Sequence, residues 1–160
     1  MKIYLAAPVI TKPEIKELTG IVLKVLEWMK SITPNFDIYI PSNIKIPNAW
    51  GIDIKTWAQC VFTVDVMELD KADWIVVCDF GRQSSSGTAW EAGYAFGKGK
   101  KILVIKMPGV EEFSLMTHGC ASNIVSFEDF VHYMDKKNVG DIWECFFHER
   151  GKIEQSEVLN

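Results

Sequence analysis

Short, continuously apolar runs recur along this chain, separated by longer segments whose apolar residues return at helical spacing. That alternation leaves few folds open. Residues 3–6 (Ile-Tyr-Leu-Ala), 74–78 (Trp-Ile-Val-Val-Cys) and 102–105 (Ile-Leu-Val-Ile) are hydrophobic at every position. A strand without polar alternation must be covered on both faces, as in a parallel sheet held between helices. Residues 37–40 alternate polar and apolar side chains and read as another strand, stopped by Pro41; residues 123–126 read as a shorter fifth.

Between these runs, residues 13–31 read as a helix. Leu18, Ile21, Val22, Val25 and Met29 repeat at helical spacing, and Pro13 suits a first turn. A second helix is expected over 53–70, where Trp57, Val61, Val64 and Glu68 share a face with Asp65 beside Val64. A third is expected over 87–97, with helical turns near 114–120 and 127–135. Residues 42–52 and 79–86 read as loops. Strand–helix alternation of this kind implies one parallel sheet with helices on both sides. Ligands of such sheets sit beyond the carboxyl ends of the strands, which singles out the loops 6–12, 42–52 and 79–88.

The chain of 160 residues is expected to form one domain over 1–147, followed by a polar tail over 148–160. A net charge of −4 offers no footprint for a nucleic-acid polymer, so a bound anion would be held by local groups. Cys60, Cys78, Cys120 and Cys145 are scattered and form no C-x-x-C pair, which suits reduced thiols better than a zinc site or disulfide framework. The opening residues lack the apolar length of a signal peptide and no apolar run is long enough to span a membrane, so the cytosol (cytoplasmic localisation) is the expected compartment.

Several familiar chemistries lose support. The sequence has no G-x-G-x-x-G after its first strand, no P-loop and no G-x-S-x-G elbow. His118, His132 and His148 form no metal-ligand pattern, and no cofactor is called for. What remains is carboxylates, hydroxyls and backbone amides. Glu91 stands out, five positions after Ser86 in a helix that follows a buried strand. The positive end of that helix is expected to favour the ionised carboxylate, and an ionised carboxylate is a competent nucleophile toward an anomeric carbon. Position alone favours the plainer reading, a solvated glutamate in an early helical turn.

Three motifs in combination narrow the choice: K-I-Y-L-A-A-P at the start, V-D-V-M-E-L-D-K-A-D-W-I in the middle, and S-G-T-A-W-E-A-G-Y-A after the third strand. Together, over roughly residues 2–130, they resemble the nucleoside 2-deoxyribosyltransferase superfamily, which includes base-exchanging transferases and 2'-deoxynucleoside 5'-monophosphate N-glycosidases. The resemblance implies a flavodoxin-like (Rossmann-like) three-layer α/β sandwich on a five-stranded parallel sheet. It also implies a homodimer or larger homo-oligomer in which a neighbouring subunit completes the pocket. Glu91 matches the family's nucleophile, which forms a covalent deoxyribosyl intermediate. Tyr4 matches the tyrosine that orients it. Asp65 matches an active-site aspartate suited to protonate the departing base. Trp57 matches an aromatic near the base, although its spacing suits core packing equally well.

Two positions depart from the base-exchanging transferases. Those enzymes carry an aspartate six residues before the nucleophile, where Ser85 stands here, and an asparagine where Ser114 stands, in Phe113-Ser114-Leu115-Met116. An aspartate would repel a 5'-phosphate, whereas serine hydroxyls, backbone amides, a helix start and the small Gly87 can approach one. Both serines resemble the monophosphate N-glycosidase branch; a polar loop capping a helix is the plainer reading of Ser84-Ser85-Ser86. The loop Pro8-Val9-Ile10-Thr11-Lys12 lacks the serine and arginine of that branch, with Thr11 and Lys12 as candidate substitutes; and whereas the terminal carboxylate of the base-exchanging transferases reaches a neighbour's site, this sequence ends Glu157-Val158-Leu159-Asn160 after a polar extension.

The expected activity is hydrolysis of the N-glycosidic bond of a deoxynucleoside monophosphate, releasing free base and deoxyribose 5-phosphate. The alternatives are base exchange between deoxynucleosides and, in another class, a catalytically silent nucleotide-binding sensor. Trp50, Trp57 and the loop 42–52 are candidates for the base pocket. Residue types leave the base, and deoxyribose against ribose, undecided.

Overall fold

The structure, a computed structural model, describes residues 1–8, 12–84, 86–136 and 146. Its five strands are β1 (Lys2–Ala6), β2 (Asp37–Tyr39), β3 (Trp74–Asp79), β4 (Lys101–Lys106) and β5 (Asn123–Ser126). All neighbouring pairs run parallel, in the order β2-β1-β3-β4-β5. The helices are α1 (Pro13–Ile32), α2 (Ile54–Lys71), α3 (Ser86–Gly97), α4 (Leu115–Gly119) and α5 (Phe127–Lys136).

Alternation along the strands sorts the core into two slabs. Ile3, Leu5, Val76, Cys78, Leu103 and Ile105 face α1 and α5, meeting Val22, Leu26 and Phe130. Tyr4, Ala6, Ile75, Val77, Ile102 and Val104 face the opposite way, toward Leu69 and Ala72 at the end of α2 and Ala92 and Ala95 on α3. The result is the expected three-layer α/β sandwich of flavodoxin-like topology. Every residue of β3 is buried, which is why its sequence shows no polar alternation. Each large aliphatic side chain there contributes about 1.5–3 kcal/mol of burial. Ala92 and Ala95 carry no bulk, so α3 lies close over the sheet and brings Glu91 within reach of β1.

The chain builds β2 outward from one side of β1, then crosses to lay β3 on the other. The loops after β1 and β3 therefore diverge at the carboxyl edge, the point at which such sheets bind ligands.

Element boundaries differ from expectation where caps and tight turns intervene. Asp53 precedes α2 rather than joining it, accepting hydrogen bonds from the backbone N–H groups of Lys55 and Thr56 at 3.0 and 3.1 Å. Strand β2 ends at Tyr39, and single 3-10 turns at Pro41–Asn43 and Gly81–Gln83 sit inside the segments expected to be loops. Asp79, expected to open the polar loop, is the buried last residue of β3. Gly81 turns the chain with φ of +59°, and a Cβ there would collide with the carbonyl oxygen of Glu112. Among the described residues, no helix is long and apolar enough to cross a membrane. The tail 148–160 lies outside the described residues.

Candidate active site

Tyr4 is fully buried and points to the α2–α3 side of the sheet. Its hydroxyl donates to Oε1 of Glu91 at 2.8 Å. Parallel register places Tyr39 of β2 beside Tyr4, with ring centroids 5.3 Å apart. The Tyr39 hydroxyl donates to Oδ1 of Asp65 at 2.8 Å. Two tyrosine–carboxylate pairs thus stand side by side above the carboxyl ends of β1 and β2. Tyr4–Glu91 joins residues that the sequence nominated. Tyr39 was missed, although its place two residues after Asp37 on a short edge strand fixes it opposite Tyr4 once the register is known.

The two carboxyl groups of these pairs line a cleft of about 510 Å³ between α2 and α3, a size that suits a small ligand. Trp57, Val61 and Asp65 line one wall from successive turns of α2, four residues apart. Gly87, Thr88 and Glu91 line the other from the start of α3. Pro41, Ile44, Ile46 and Ala49, from the segment after β2, close the end with apolar surface. Trp57 is 40% exposed and lines the cleft, so of its two open readings the structure takes pocket wall over core packing. Trp50 projects fully into solvent and belongs to a neighbouring hollow with Ile52, Ile54 and Trp57.

Electrostatics in the cleft overturn one expectation. Burial pushes the Glu91 carboxyl up to about 7, against the hydrogen bond from Tyr4, and the nearby Asp65 charge pushes the same way. The helix-end effect was expected to keep Glu91 ionised. It fades beyond the first turn, and Glu91 is in the second turn of α3, where desolvation dominates. Asp65 is also raised by burial, partly offset by Tyr39. Burial and the adjoining carboxylates raise both phenols, so each remains a hydrogen-bond donor. Burial thus disfavours the charged form of both neighbouring carboxyls, and the charge on Asp65 adds to the hold of Glu91 on its proton.

The remaining nominated residues divide. Gly87 is in the cleft wall. Ser85 lies outside the described residues, as do Val9, Ile10 and Thr11. Ser114 is not at the cleft of its own chain. It caps α4, accepting from the backbone N–H of Thr117 at 3.3 Å and from the Thr117 hydroxyl at 3.0 Å. It lines a separate depression with Ser84, Ser86 and Thr117. Among the described residues, no group of three or more His, Cys, Asp or Glu side chains is arranged to hold a metal ion.

Comparison with known proteins bears on this geometry. A family model described as nucleoside 2-deoxyribosyltransferase matches residues 3–123. No curated protein sequence matches the chain significantly. Among solved structures, a 2-deoxyribosyltransferase from Bacillus psychrosaccharolyticus is similar, with TM-score 0.65 and 21% identity, over 89% of this chain and 96% of that one. A conserved protein from Enterococcus faecalis superposes with TM-score 0.64 and 18% identity, over 86% and 99%. The CMP N-glycosidase of Clostridium botulinum does so with TM-score 0.55 and 20% identity, over 85% and 99%. At these identities the structural likeness speaks for the fold.

Proposed function

The chain belongs to the nucleoside 2-deoxyribosyltransferase family, enzymes that cleave or transfer N-glycosidic bonds, and from that premise we propose that it hydrolyses 2'-deoxynucleoside 5'-monophosphates through a covalent intermediate on Glu91. The observation that carries this reading is the Glu91 carboxylate held at 2.8 Å by Tyr4 and facing Asp65 across the cleft. A sensor that only bound nucleotide would have no use for a buried, oriented pair of carboxyls.

The chemistry is a retaining double displacement. Tyr4 fixes the rotation of the Glu91 carboxylate by engaging Oε1, and the carboxylate attacks C1' of the sugar. The C1'–N bond breaks, its electron pair leaves with the base, and Asp65, which carries the one proton of the pair in the reactive form, protonates the base nitrogen. Water then attacks C1' of the glycosyl ester. One proton of that water returns to the pair, Glu91 departs as carboxylate, and the sugar phosphate is released. The products are free base and deoxyribose 5-phosphate, with no net change in the enzyme. The base would lie between Trp57 and the apolar end formed by Ile44 and Ile46.

Support for a monophosphate comes from Ser85 and Ser114, where the base-exchanging transferases carry aspartate and asparagine. Gly87 at the cleft wall leaves room for a phosphate against the start of α3. The reading includes a homodimer or larger assembly. Ser114 lines a depression separate from its own cleft, beside Leu115 and Met116, which are 76% and 82% exposed, so a neighbouring chain is the route by which it would reach a substrate.

Incubation with a deoxynucleoside monophosphate, its free nucleoside and an acceptor base tests the assignment. The expected result is base release from the monophosphate alone. Base exchange on the free nucleoside would replace this reading with that of a transferase.

A further inference from the structure

Asp79, the last residue of β3, is 1% exposed, and none of the chemistry described so far uses it. Its Oδ1 accepts the backbone N–H of Gly81 at 2.9 Å and the Ser84 hydroxyl at 3.1 Å. Ser84 Oγ in turn accepts the backbone N–H of Phe80 at 2.8 Å. The other oxygen, Oδ2, lies 2.8 Å from Nε2 of His118 on α4. With Oδ2 as acceptor, this hydrogen bond forms in the tautomer that carries its proton on Nε2. The His118 ring stacks on Phe113 with centroids 4.3 Å apart and planes 11° apart.

One buried carboxylate therefore ties together two segments 39 residues apart in sequence. The first, residues 80–86, leads into α3 and contains Ser85, one of the two serines assigned to phosphate. The second, residues 113–118, carries Ser114. They face each other across a depression of about 410 Å³, lined by Ser84, Ser86, Ser114 and Thr117. At its rim Arg82 and Glu112 pair at 2.5 Å, largely in solvent and so of little energetic weight. The buried Asp79 contacts are different, because a carboxylate that loses one partner in the interior has no water to replace it.

We propose that Asp79 and His118 are positioning residues that lock the β3–α3 loop to the start of α4, so that each segment is held where it meets a substrate's phosphate: the start of α3 at the cleft of its own chain, and Ser114 at the cleft of a neighbouring chain. The phosphate part rests on the function proposed above; the mechanical coupling does not. The conservative variant His118→Gln can place an amide donor near the position of Nε2, whereas His118→Phe keeps the stack on Phe113 and removes the donor.

Amide hydrogen exchange on the protein without ligand tests the coupling. In His118→Phe, exchange should quicken about tenfold or more in residues 80–86 as well as in 114–118, and His118→Gln should stay near wild type. Ser84→Ala, approached from the other segment, should quicken exchange around 118, and it serves if His118→Phe does not fold. Faster exchange confined to the mutated segment in both variants overturns the proposal. In parallel, His118→Phe should raise KM for the monophosphate about tenfold with kcat within about threefold, and His118→Gln should restore KM. Coupled exchange with unchanged KM would refute the phosphate role. If the wild-type protein does not cleave monophosphates, the substrate reading fails, and the exchange result still decides the coupling.

Discussion

Replacing Glu91 with glutamine exchanges a buried carboxyl for a neutral group of the same shape that can still accept the Tyr4 hydrogen bond. Burial moves this carboxyl from 4.5 to about 7, so the folded protein holds its proton more tightly than the unfolded chain does. Below pH 4.5 both states are protonated and the group contributes nothing to stability. As pH rises toward 7 the unfolded chain ionises first, and folding is progressively penalised; above about 7 the penalty is constant. At about 1.4 kcal/mol for each tenfold difference in proton affinity, the ceiling is about 3 kcal/mol. The cleft is open to water, which relaxes the charge, so about 1–2 kcal/mol is the working figure. Glu91→Gln should therefore melt higher than wild type at pH 8, by about 3–8 °C for a domain of this size. At pH 5 the gain should shrink to about a quarter of that. Base release should fall on the order of 10³-fold or more in the same variant. Thermal melts of both proteins from pH 5 to 8 supply the test. A melting difference that does not vary with pH, or a less stable variant at pH 8, would refute the account of Glu91 as a desolvated carboxyl.

Other perturbations probe the second carboxyl and the walls. Asp65→Asn removes the proton carrier and should slow base release about 10²–10⁴-fold, most for the bases that are poorest as anions; equal losses across a leaving-group series would argue against a proton donor. Because the singly protonated pair is the reactive form, kcat/KM should be bell-shaped, falling above about 7 as that proton is lost and again in acid as a second is gained. Tyr39→Phe removes the hydrogen bond that holds Asp65 down, so the acid limb should move upward; an unmoved profile would make Tyr39 a packing residue only. Trp57→Ala should raise KM about three- to tenfold through lost contact with the base, while melting changes little because the ring is half exposed. A large stability loss there would return Trp57 to the core.

Much of this fold was legible because its signals are local. All five strands and the three long helices lie within a few residues of their expected limits, since β3 and β4 are apolar throughout and α1 keeps an unbroken helical period. The one-turn 3-10 segments escaped because a single turn carries no period. Glu91, Asp65 and Tyr4 were nominated through the family's motifs; Glu91 and Asp65 line one cleft with Trp57 and Gly87, and Tyr4 bonds Glu91. What sequence could not supply depends on register and burial. Tyr39 meets Asp65 only because β2 pairs with β1 in parallel, and Asp79 meets His118 across 39 residues. The protonation of Glu91 was misjudged because a helix dipole can be read locally, whereas desolvation belongs to the assembled cleft.

The central claim is a glycosyl ester on Glu91. A 2'-fluoro-substituted deoxynucleoside monophosphate destabilises the cationic transition states and slows breakdown of such an ester, so the intermediate should accumulate. Quenched samples, digested and read by mass spectrometry, should carry the fluorinated sugar phosphate on the peptide containing Glu91, at one equivalent per chain. Label on another residue, or base released with no label on any peptide, would contradict the account.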